Sequence, residues 1–139
     1  MYATVFNGTA TQAQYADLAE NYLGDEQYEA GTVLMFGGDE EVTKSDAKGT
    51  TRVAGIVSTN PAHLMNAELQ GKYVVELALT GRVPTKVVGI VSKGDLMVGA
   101  PGGYACVDNN AKTGSVIGKA IEDKNDSGHG IIEILVGRT

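Results

Sequence analysis

The side chains that could do chemistry in this 139-residue chain fall into four small groups. Asp17 and Glu20, within "YADLAENY", are carboxylates three residues apart, which a helix sets on neighbouring positions of its surface. Near a helix start its dipole favours them, which is a purely structural reason for their presence. Asp123, Asn125 and Ser127 alternate before Gly128 in "DKNDSG", the opening of a calcium loop. Such a loop closes on a bidentate Glu at its twelfth position, where this chain has Ile134, with Glu133 one place early. A polar hairpin turn fits better, and the three residues stand as weak calcium candidates. Ser58 with Lys86 or Lys93 has the composition of a Ser–Lys pair, but "GIVSTNP" carries no nucleophile motif, so Ser58 is expected to cap the turn before Asn60 and Pro61. Cys106, the one cysteine, has only His63 and His129 as conceivable bases, and a small buried hydrophobe is its simpler role. "GAPGG" lacks the Gly-Lys-Ser/Thr ending of a phosphate loop and reads as a turn. No His and Cys spacing suits a metal, and no cofactor is implied. Taken alone, this chemistry supports a binding or structural module, with no enzyme activity assigned.

The elements that must position these groups are mostly short strands. Nineteen glycines, two Phe and no Trp point to tight turns between thin layers, and to a mainly-β chain rather than a helix bundle. Residues 13–22 are the exception: Tyr15, Leu18, Ala19 and Tyr22 at i, i+3, i+4, i+7 predict a short helix stopped by Gly24, too short to stand without docking on the β body. Strands are expected in 28–38 and 52–60, a short helix or irregular lobe in 61–72, and a hairpin over 73–91 turning at Thr80-Gly81. Pro84 places its part of that hairpin at an edge or bulge. Three further strands or strand pairs follow. Residues 1–12 hold an Asn7-Gly8 turn pair and read as the end of a shaft or a linker, leaving 13–139 as one β domain.

The chain also echoes itself. "AGTVLMF" resembles "KGDLMVG", and "AKGTTRVAGIV" resembles "AKTGSVIGKAI", both at 63 residues (Gly31 to Gly94, Gly55 to Gly118). Two anchors at one offset predict two related strand units, each half of a small barrel or clip that cannot bury its apolar face alone. A net charge of −6 leaves no basic stripe for nucleic acid, and no apolar run reaches the ~20 residues of a membrane span.

"YADLAENY", "YEAGTVLMFGGDEEVT", "TRVAGIVSTNPAHLMN", "LALTGRVPTKVVGIVSKGDLMV" and "GSVIGKAIED", in this order, resemble the C-terminal domain of bacteriophage tail fibres and related appendages. Within that group the chain is similar to the maturation domain of Bacillus-phage neck appendages, an intramolecular assembly chaperone that cuts itself off before an Asp in a Ser-Asp-x-x-Glu setting. Asp17 and Glu20 match that Asp and Glu, and Ala16 stands where the Ser would be. Without the hydroxyl, an acyl shift at the scissile bond has no nucleophile, so release and retention of the domain both stay open. The resemblance implies a homotrimer on a fibre shaft, a virion location after synthesis in the host cytoplasm, and a contact with a host surface receptor as a further role.

Overall fold

The computed structural model describes residues 16–137, and every regular element in them is a strand. In chain order these are β1 (Asp17–Leu23), β2 (Val33–Phe36), β3 (Val42–Lys44), β4 (Val53–Val57), β5 (His63–Met65), β6 (Val74–Val88), β7 (Leu96–Ala100), β8 (Tyr104–Val107), β9 (Val116–Ala120) and β10 (His129–Val136). The mainly-β expectation holds, and the N-terminal helix does not. Residues 17–22 of that expected helix belong instead to β1, which runs antiparallel to β6 with seven register partners and parallel to β5; residues 13–15, like the shaft or linker segment 1–12, lie outside the described residues. The helical reading failed for a physical reason. Leu18 and Tyr22, four apart, share a face in a strand as well as in a helix, and the face that is actually buried is Asp17, Ala19 and Asn21, two of them polar.

A second correction concerns Thr80-Gly81. No hairpin turns there; β6 runs straight through as one 15-residue strand. Gly81 is held at a φ of +113°, and a Cβ on it would lie 2.3 Å from the Ala16 carbonyl oxygen, so glycine serves here for close approach of two backbones, not for chain reversal. Pro84 costs β6 nothing on its β10 side. The neighbouring Arg82 and Lys86 N–H groups donate away from β10, to the carbonyls of Ala16 and Gly31, and by alternation the missing Pro84 donor falls on that interrupted edge. Residues 61–72 form an irregular lobe containing only the three-residue β5.

The 63-residue echo is carried into the hydrogen-bonded register. Leu34 faces Gly55 in β2–β4, and Met97 faces Gly118 in β7–β9; each ladder shifts register immediately after that pair. Met35 with Thr43 corresponds to Val98 with Cys106. The parallel bridge Gly24–Val42 corresponds to Val87–Ala105. The second unit is a closed five-stranded ring, β6–β10–β9–β7–β8 and back to β6. The first has the same plan, with β1, β6, β4, β2 and β3 closed by the Gly24–Val42 bridge. β6 serves both: its first half is the last strand of the first ring, and its second half is the first strand of the second.

Each ring has its own interior. Leu34, Val42, Val57, Val75 and Leu77 fill the first, and Val83, Val87, Met97, Ile132 and Ile134 the second. Val33, Val53, Ile56 and Ala78 belong to the first ring yet join the second cluster, so the two rings share one apolar junction. A side chain at Gly55 would meet the Ala78 carbonyl oxygen at 2.4 Å, and one at Gly118 the Leu135 carbonyl oxygen at 2.1 Å. Gly55→Ala and Gly118→Ala are each expected to cost about 2 kcal/mol by backbone overpacking, read as a lower urea midpoint with unchanged m-value.

Candidate functional site

The duplicated plan singles out one pair of carboxylates. "VVELAL" in β6 and "IIEILV" in β10 place Glu76 and Glu133 at matching positions, each a lone charge in an apolar run, and each accepting the backbone N–H that follows its neighbouring strand (Ser58 to Glu76, Ile121 to Glu133). In the ladders Glu76 faces Asn21, and Glu133 faces Pro84. Glu133 is buried, and the Arg82 guanidinium comes to it at 3.4 Å. The residue of the first ring at Arg82's position is Ala19, which is fully buried.

The Glu76 side therefore has no counterpart of that guanidinium, and its neighbours are more acceptors. Asp17 is 7% exposed and Asn21 6%. One oxygen of each (Asp17 Oδ2, Asn21 Oδ1), together with Glu76 Oε1, is buried without a hydrogen-bond donor. Asn21 itself is fixed: its Nδ2 donates to the Asn66 carbonyl at 3.3 Å, and Asn66 Nδ2 donates back to the Asn21 carbonyl at 3.2 Å. Asn66, at a φ of +57°, adopts the left-handed conformation that Asn tolerates. Burial pushes the Asp17 carboxyl above its ordinary value, opposed by the Ser58 hydroxyl. Burial pushes Glu76 up as well, and the Asp17 charge adds to it. Ser58 and Glu76 also line a cleft of about 410 Å³ with Glu26, Tyr28 and Lys72 on its walls.

The other sequence candidates go elsewhere. Asp17 and Glu20 are not brought together, because strand alternation sends them to opposite faces of β1; Glu20 instead accepts from the Tyr22 hydroxyl at 3.3 Å. Asp123, Asn125 and Ser127 lie on an exposed turn organised by a side chain between them. The buried Lys124 ammonium donates to the carbonyls of Gly89, Asp126 and Gly128 and to Asp126 Oδ1, so a lysine supplies the positive charge at the centre of this turn. Asp123 meanwhile accepts the Lys93 backbone N–H at 2.8 Å. Lys86 is held by Glu29 at 3.0 Å and lies over the Tyr104 ring, which stacks on His129; Ser58 is engaged at Asp17 instead. Burial raises the Cys106 thiol, which disfavours the nucleophilic thiolate.

Sequence reasoning missed Glu76 and Asn21. The signal that finds them is the repeated apolar-apolar-Glu-apolar-apolar-apolar pattern, visible only once the two units are aligned. No known protein family matches the chain, and no curated protein matches it.

Two carboxyls with raised native pKa values bind more protons folded than unfolded in the window above 3.8 for Asp17 and 4.5 for Glu76. Stability in a chelator-containing buffer is therefore expected to fall as pH rises through that window. Asp17→Asn and Glu76→Gln should flatten the fall, checked by urea midpoints from pH 4 to 8. Lys124→Met, which strands the three carbonyls, is expected to cost on the order of 3 kcal/mol in the same assay.

Proposed function

We propose that this chain is the C-terminal assembly and capping domain of a bacteriophage tail fibre or appendage, working as a homotrimer at the end of a shaft on the virion. The sequence resemblance supplies the family, and one face of the second ring supports self-association. Across the first ring, Val33, Ile56, Ala78 and Ala19 form a row through β2, β4, β6 and β1, and all four are fully buried. The same register in the second ring reads Leu96, Lys119, Leu135 and Arg82. That row is only partly covered: Leu96 and Arg82 are half-buried, Lys119 is exposed, and Leu135 and, further along the same face of β10 beyond the buried Glu133, Ile131 are 50% and 51% exposed. A face that is junction in one unit and open in its copy suits association with other chains.

The open face combines apolar side chains with Lys119 and with Arg82 paired to Glu133, the mixed composition of a contact that must also be tolerable in water before assembly. Retention on the fibre is preferred to self-cleavage. Ala16 stands in place of the hydroxyl residue, its carbonyl accepts the Arg82 N–H at 3.0 Å within the β1–β6 pairing, and Asp17 and Glu20 point to opposite faces.

Light scattering across a concentration series is expected to give a trimer both for residues 1–139 and for a form lacking residues 1–12. An Ile131→Lys, Leu135→Lys double variant should shift the trimer to monomer while keeping the β circular dichroism. Intact mass should remain at the full 14.5 kDa. A wild-type monomer at every concentration would sink the assembly reading, and a new N-terminus at Asp17 would replace capping by release.

A further inference from the structure

We propose that the β2–β3 hairpin of one copy, with Phe36 at its base and Asp39 and Glu40 at its tip, docks on the second ring of the next copy at Lys119 and Leu135. The inference rests on the homotrimer reading above and names the surface that the open row meets. Within one chain the two rings already make a contact between unlike parts. The row of the first ring receives the β7–β8 hairpin of the second: the Val33 N–H donates to the Gly103 carbonyl at 2.8 Å, and Ser45 Oγ donates to the Ala100 carbonyl at 2.7 Å. Gly99, at the base of that hairpin, is buried, and a Cβ on it would lie 3.4 Å from Ser45 and 3.7 Å from Val33. The register makes Phe36 its counterpart, since Phe36 faces Val42 as Gly99 faces Ala105. Phe36 is 42% exposed. The contact inside the chain therefore uses the row of one ring and the hairpin of the other, and it leaves the opposite two, row and hairpin, unused.

These two unused surfaces suit each other in composition, charge and symmetry. Among the described residues the large hydrophobic side chains left exposed are Phe36, Val74, Ile90, Ile131 and Leu135, so both surfaces carry apolar groups open to a partner. At the hairpin, Phe36 lies edge-on to Tyr22 at 5.7 Å, and Tyr22 donates to Glu20. Glu41 is engaged by the Leu23 N–H at 2.8 Å, which leaves Asp39 and Glu40 exposed at the tip. Arg52, whose carbonyl accepts the Phe36 N–H, is a basic neighbour, and four carboxylates outweigh it. On the row the exposed charge is Lys119; Arg82 is paired with Glu133, and Glu122 is occupied by the Glu133 N–H. Neither surface suits a copy of itself, because like charges would face each other. A threefold ring needs contacts between two different patches in any case. The contact between copies does not repeat the backbone bonds made inside the chain. The Leu96 N–H, counterpart of the Val33 donor, is taken by Asn109 Oδ1 at 2.8 Å, so the hairpin is received further along the row, by side chains.

The test is disulfide cross-linking of the full chain in a Cys106→Ala background, with sedimentation equilibrium of charge variants alongside. A chain carrying both Glu40→Cys and Lys119→Cys is expected to give a covalent trimer on oxidation, and a chain carrying either change alone is expected to give none. Phe36→Ser, Glu40→Lys and Lys119→Glu should each raise the trimer dissociation constant at least tenfold, and Glu40→Lys together with Lys119→Glu should recover most of that loss. Should Phe36→Ser fail to fold, Glu40→Lys, at an exposed tip, carries the comparison; should the double-cysteine chain stay unlinked, the charge exchange decides. Cross-linking by Lys119→Cys alone would overturn the proposal, since the row would then meet itself. A wild-type trimer unmoved by the hairpin variants would overturn it too and leave the fibre reading standing. A wild-type monomer at every concentration would remove both.

Discussion

Everything in this molecule hangs on one strand. β6 must leave the first ring and enter the second without a break, and its fifteen residues carry the pairing of β1 and β4 at one end and of β10 and β8 at the other. Gly81 makes the passage possible. At that point the backbone is at a φ of +113° and Ala16 and Asp17 press against it more closely than any Cβ permits. The two interiors, the junction built by Val33, Val53, Ile56 and Ala78, and the matched registers all presuppose that the strand continues. An interrupted β6 would leave two five-stranded units, each with an uncovered apolar face.

The site follows from the same duplication. Two copies of one plan put a glutamate at the same place in each ring, and the sequence has since solved the charge problem differently in each. The second ring uses Arg82. The first has Ala19 in that position and places Asn21 opposite Glu76, so burial raises both Asp17 and Glu76, and the Asp17 charge adds to the rise at Glu76. A lone buried acid is a common liability; two, flanked by a fixed carboxamide, form an arrangement whose properties depend on what neutralises them.

How much of this could be read beforehand divides along physical lines. Mainly-β architecture was legible from glycine content and short apolar runs, and the two-unit plan from the shared offset of Gly31 to Gly94 and Gly55 to Gly118, because those glycines are fixed by turn geometry and by backbone approach. β1 was not, because Asp17 and Asn21 bury polar groups and so invert the hydrophobic pattern on which a strand assignment relies. Thr80-Gly81 reads as a turn because positive φ is most often used for reversal, while here it serves close packing. Asp17 was singled out for the wrong partner: spacing along the chain pairs it with Glu20, whereas the fold couples it to Glu76, 59 residues away and on another strand. Chain distance carries no information about that contact.

One consequence of the register at Gly81 is mechanical. Asp17 at the start of β1 and Val136 at the end of β10 both pair with this residue, from opposite edges of β6. A pull applied between those two ends runs through a single point of the shared strand and perpendicular to it, so the tension crosses the molecule in the space of three neighbouring backbones. Both rings lie to either side of that line. They hang from it as ballast hangs from a cable, deformed only after the rungs at Gly81 have given way.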